Sequence, residues 1–99
     1  MLGAERLTEI ATEVARRHLG VGPRDVDRVV VEPTDFQGRD ALRVTIVIAP
    51  GVEDRISGDA VIETLFQMRR RLAEAGDERP PTIQYASADE FAHHGGSEP

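Results

Sequence analysis

The run Ala41-Leu42-Arg43-Val44-Thr45-Ile46-Val47-Ile48-Ala49 is the most apolar and most β-branched stretch of the chain. Residues of that kind fit the pleated, half-buried surface of a strand. At a two-residue period Leu42, Val44, Ile46 and Ile48 share one face, and Arg43, Thr45 and Val47 share the other. The apolar face has to be covered. The stretch is therefore expected to be the central strand of a small sheet with helices packed across it.

The flanking segments supply that cover. Residues 4–19 read as an amphipathic helix, with Leu7, Ile10, Ala11 and Val14 on one stripe and Glu5, Arg6, Glu9, Glu13, Arg16 and Arg17 largely off it. Glu13 and Arg17 form an i,i+4 pair, Glu9 leads Arg16 by two turns, and Gly20, Gly22 and Pro23 end the helix. A first strand is expected from Asp25 to Glu32, stopped by Pro33, with Val29 and Val31 turned to the core and Val26, Arg28 and Val30 outward. Residues 34–40 are turn-forming, and long for a tight hairpin.

Beyond the central strand, Pro50-Gly51 breaks the ladder and residues 52–56 read as a loop. Ser57 is placed to cap a helix running to about Ala75, with Gly76 as its stop. Val61, Leu65, Met68 and Leu72 would form its buried stripe, broadened by Ile62 and Phe66. A third strand, Thr82 to Ser87, would turn Ile83 and Tyr85 inward, and the capping-box spacing of Ser87-Ala88-Asp89-Glu90 predicts a helical turn through Phe91. Residues 1–91 thus read as a single α+β domain and residues 92–99 as a flexible tail.

The order is α-β-β-α-β. A right-handed crossover through the second helix lets both helices cover one face of the sheet. The expected fold is an α+β two-layer sandwich, a three-stranded mixed sheet with the 41–49 strand in the middle and the third strand parallel beside it.

Ninety-nine residues with 18 acidic and 12 basic side chains carry a net charge of -6. A surface that tracks phosphates normally has the opposite sign, which argues against nucleic acid as a partner. Every basic residue is Arg, so Schiff-base chemistry and a phosphate-loop lysine are excluded, and the absence of Cys excludes disulfides and thiolate chemistry. The start, Met1-Leu2-Gly3-Ala4-Glu5-Arg6, has no targeting pattern, and no apolar run approaches the ~18 residues that span a bilayer. A bacterial-type cytoplasmic protein with no membrane association is the expectation.

Side chains with chemical potential are few. His18 ends the first helix's apolar stripe and reads as a boundary residue, while His93 and His94 are adjacent in the tail and read as solvated. Glu53, Asp54 and Asp59 match no calcium or magnesium loop, and Ser57 and Ser87 have cap roles and no nucleophile-elbow context. Arg69-Arg70-Arg71 spreads around a helix end and reads as a solvated, dipole-complementing run with Arg70 paired to Glu74. No catalytic residue, metal site or cofactor is therefore expected, and the chain is not expected to be an enzyme.

The outer face of the sheet is the expected interface. It would carry Val26, Val30, Val47 and Ala86 among Arg28, Arg43, Thr45 and Gln84, more apolar than a solvated face requires. Val26, Arg28, Val30, Arg43, Thr45 and Val47 are its candidate contact residues, for a homodimer or for a separate protein partner. A small-ligand or metal-binding regulatory domain is the alternative, using Arg28 and Arg43 for an anion or His18 for a metal.

In architecture the chain is similar to KH-like folds of the ribosome-binding-factor A kind and to the cytoplasmic domain of cation-diffusion transporters. The Gly-x-x-Gly loop of the first is missing, and Ser57-Gly58-Asp59-Ala60 stands where the second has its metal-liganding His. Gly38-Arg39-Asp40-Ala41-Leu42 and Arg71-Leu72-Ala73-Glu74-Ala75-Gly76-Asp77-Glu78-Arg79-Pro80 also resemble stretches of small uncharacterised bacterial proteins of this order, encoded beside helical HEPN-type partners. That resemblance implies one half of a toxin-antitoxin-like pair, a protein-interaction module.

Overall fold

The computed structural model describes residues 2–90. Helix α1 spans Ala4–His18, strand β1 Val26–Phe36, strand β2 Arg39–Ile48, helix α2 Gly58–Glu74 and strand β3 Pro81–Ser87, with short 3-10 turns at Pro23–Asp25 and Val52–Arg55. The strands lie in the order β1-β2-β3, antiparallel between β1 and β2 and parallel between β2 and β3. The α+β sandwich with 41–49 at its centre is the fold expected from the sequence. Phe91 and the 92–99 tail fall outside the described residues.

Leu42, Val44, Ile46 and Ile48 are buried in one core with Leu7, Ile10, Ala11, Val14, Met68 and Leu72. Each fully buried side chain of this size contributes about 1.5–3 kcal/mol relative to an exposed one. α1 packs on β1, α2 on β3, and the helices touch each other. An ion pair from Arg71 to Glu13 at 2.7 Å ties the two helices together and holds the Glu13 carboxyl below its ordinary range.

Four local expectations are corrected. Strand β1 does not stop at Pro33: the pairing continues to Phe36↔Arg39. β1 is an edge strand, where a missing N–H is tolerated. The hairpin is in fact tight, because Gln37 (φ 54°) and Gly38 (φ 78°) both take the positive φ that a two-residue type I′ turn requires. Val26 also changes face. Asp27 is an extra residue between the pairs Val26↔Ile48 and Arg28↔Val47, a β-bulge that returns Val26 to the core side, where it is 1% exposed.

The fourth correction concerns α2. Ser57 caps it by accepting from the Ala60 N–H at 3.1 Å, as its position suggested. Its buried residues, however, are Thr64, Met68 and Leu72, while Val61, Ile62 and Phe66 are exposed. The sheet ends at β3 and α1 occupies the β1 side, so one flank of α2 has nothing beneath it.

Candidate functional site

The exposed flank of α2 overhangs the free edge of the sheet. Ile62 is 69% exposed and Phe66 61%, four residues apart on one stripe, with Val61 beside them. Phe66, Arg69, Arg70 and Ala73 line a surface cavity together with Pro80 and Pro81 at the start of β3. Toward the other end of the helix, Val61 shares a cavity of about 170 Å³ with Ile48, Ile56, Glu53 and Tyr85. A second opening there adds Ala86, Ser87 and Glu90. α2 and β3 thus carry separate surface cavities near the two ends of the strand, and Ile83 and Tyr85 between and beside them are half-buried.

The entry of β3 is held firmly. The α2 C-terminus closes in a Schellman motif, with the Asp77 N–H donating to the Leu72 carbonyl at 2.9 Å and the Gly76 N–H to the Ala73 carbonyl at 3.0 Å. Gly76 has φ 108°, a backbone conformation that favours glycine. The buried Asp77 carboxylate then accepts from Arg79 Nε at 2.9 Å, Arg79 Nη2 at 2.6 Å, the Arg79 N–H and the Leu2 N–H. The Arg79 guanidinium, helped by those two backbone donors, holds the Asp77 carboxyl well below the usual carboxylate range. One carboxylate thus joins the chain's start, the α2–β3 turn and the edge strand.

The two edges of the sheet differ in how they are protected. β1 carries Asp27, Arg28, Glu32, Pro33 and Asp35, the charges and proline that keep an edge from pairing. β3, Pro-Thr-Ile-Gln-Tyr-Ala-Ser, carries no charge and no proline after its first residue. The Leu42 N–H donates to the Pro80 carbonyl at 3.0 Å, so Thr82, Gln84 and Ala86 continue the bonding toward β2. Strand alternation then turns the amides of Ile83, Tyr85 and Ser87 away from β2.

At the Pro81 end, Arg70 pairs with Glu74 and Arg79 with Asp77, while Arg69 and Glu78, which line the same cavity, have no side-chain partner among the described residues. At the Ser87 end, Glu53 and Glu90 line the opening, and neither side chain has a partner among the described residues. Burial raises the pKa of Tyr85, whose hydroxyl finds no hydrogen-bond partner among those residues.

The six interface candidates scatter. Val26 lies in the core, and Thr45 and Val47 are buried between their lateral neighbours, Thr45 between Val30 and Gln84 and Val47 between Arg28 and Ala86. Gln84 Nε2 donates to Thr45 Oγ1 at 2.9 Å. Val30 is half-buried, and Arg28 and Arg43 are exposed. Arg43 engages Glu32 at 3.6 Å and Thr34 at 3.2 Å. Because Arg28 pairs with Val47, it lies four β2 residues, ~13 Å, from Arg43, too far to share a small anion. His18 belongs to no cluster of three or more metal-ligating side chains among the described residues. His93 and His94 lie outside those residues.

The α2–β3 edge was partly readable. Ile62 and Phe66 were recognised as apolar but assigned to the core, and the lack of charge in residues 81–87 was the overlooked signal. Among the described residues no helix is long and apolar enough to cross a membrane. Comparison with protein-family models, curated proteins and solved structures returned no match.

Proposed function

We propose that this protein is a non-enzymatic interaction module that receives an extended protein segment along the β3 edge, beneath the exposed flank of α2. The observation that carries the reading is the combination of an uncharged strand, unpaired on one side among the described residues, with an exposed apolar helix face. Strand addition draws affinity from main-chain hydrogen bonds and specificity from pockets for alternate side chains. The outward amides of β3 supply the first, and the cavities at Phe66 and Val61 supply the second. Burying Ile62 and Phe66 under a partner would contribute about 1–2 kcal/mol each. The acidic net charge favours a protein partner over nucleic acid.

The test is the double variant Ile62→Asp with Phe66→Asp. Both side chains are exposed, so the variant is expected to unfold within a few degrees of the wild type while losing whatever assembly or captured companion the wild type holds. Companion binding and particle mass unchanged in the double variant would contradict the reading.

A further inference from the structure

We infer that the hollow at the Ser87 end of β3 receives a basic side chain, arginine or lysine, carried by the protein segment that docks along that strand; this rests on the strand-docking reading above. Two cavities of about 170 Å³ each adjoin there, and both are lined by Ile48, Glu53 and Tyr85. A space of that size takes one side chain, since pockets for drug-sized ligands run to roughly 300 Å³ and more.

The lining decides which side chain. Ile48 is buried, Ile56 and Tyr85 are half-buried, and Val61 is exposed on α2. The Tyr85 hydroxyl is shut away from solvent, so the ring is the part of that residue that borders the space. Two carboxylates complete the lining, Glu53 from the Val52–Arg55 turn and Glu90 from the segment after β3. Both are exposed, and neither has a partner among the described residues. The neighbouring Asp89, in contrast, is engaged by the Ser87 hydroxyl and the Glu90 N–H. Among the described residues no guanidinium lines either cavity.

Arginine and lysine lay an apolar stem along apolar surface and keep the charged head at its rim, which is the division of surface found here. An aromatic ring adds attraction for a cation. An acidic side chain would be repelled by Glu53 and Glu90, and an aliphatic one would cover the apolar wall while leaving both carboxylates unused. The cavity at the Pro81 end makes no such choice, because Arg69 and Glu78 line it together, each without a side-chain partner among the described residues. The sign of the docked segment is thus set at the Ser87 end, and a net charge of -6 on the chain favours the same sign at long range.

The probe is the capped peptide Thr-Val-Arg-Val-Thr, set against the same peptide with citrulline, which keeps the shape of arginine and drops its charge. Each is titrated into the full chain and followed by the amide resonances of β3. The arginine-centred peptide should bind about fivefold more tightly, the size expected of two half-exposed ion pairs. The double variant Glu53→Gln, Glu90→Gln should abolish that preference. Asp27→Asn with Asp35→Asn removes the same charge from the β1 edge and should leave the preference in place. Equal affinity of the two peptides, or a preference that both double variants keep, overturns the basic-side-chain assignment; strand docking then stands if the amides of Ile83, Tyr85 and Ser87 still shift. Neither peptide moving those amides at millimolar concentration overturns the assignment too, and strand docking is then judged by companion binding in the Ile62→Asp, Phe66→Asp variant alone.

Discussion

Asp77 is the residue on which the position of the β3 edge depends most. It is 2% exposed and gathers Arg79, the Leu2 amide and the end of α2 into one cluster. Asp77→Asn should cost about 2 kcal/mol in urea unfolding at pH 7, since a hydrogen-bonded pair of opposite charges is broken with the guanidinium left in place. Its folded-state pKa is depressed, so the carboxylate's contribution is fully present above the unfolded value of about 3.9 and fades as pH falls below that toward the folded one. The gap between wild type and Asp77→Asn should therefore narrow between pH 5 and pH 2; a constant gap would contradict the assignment. Arg79 lies only two residues from Asp77, but nothing in the local sequence marks the carboxylate as buried, because the Leu2 amide that shares it comes from the far end of the chain. Val26 was misread for a related reason: a bulge at Asp27 shifts the alternation by one residue, and composition carries no sign of it.

At the scale of elements, the sequence was a good guide wherever periodicity or caps decide the outcome. The α1 stripe, the Ser57 cap, the Gly76 stop and the alternating faces of β2 all follow from local patterns. What the pattern of α2 left open was which of its apolar residues would find cover. Val61, Ile62, Leu65, Phe66, Met68 and Leu72 span more arc than a three-stranded sheet shared with α1 can hide, and the residue positions do not say which side loses. The hairpin was read as a long loop because Gln37-Gly38 is a weaker turn signal than Asn-Gly. Asn tolerates positive φ better than Gln, so Gln37→Asn should raise stability by about 0.5 kcal/mol, a gain of roughly 2–4 °C in thermal unfolding. Lower stability in Gln37→Asn would contradict the type I′ assignment.

For the molecule as a whole, the asymmetry of the sheet is the dominant fact. One edge is guarded by charge and proline, and the other is uncharged and unpaired among the described residues, beside exposed apolar residues of α2. A net charge of -6 opposes association with an acidic partner at long range and is screened by salt, so the proposed docking relies on short-range contacts along β3 and α2. On the sheet's outer face, where an interface is expected from the sequence, the central Thr45 and Val47 are buried, and exposed large apolar side chains lie instead on α2 at Val61, Ile62 and Phe66.

Residue-resolved hydrogen exchange of β3 at high and low concentration of the arginine-centred peptide tests this account most directly. The amides of Thr82, Gln84 and Ala86 bond to β2 and should be protected at both concentrations. Those of Ile83, Tyr85 and Ser87 should exchange slowly at high concentration, and fast on dilution or in the Ile62→Asp, Phe66→Asp variant. Fast exchange at these three amides at every concentration would contradict docking along the edge.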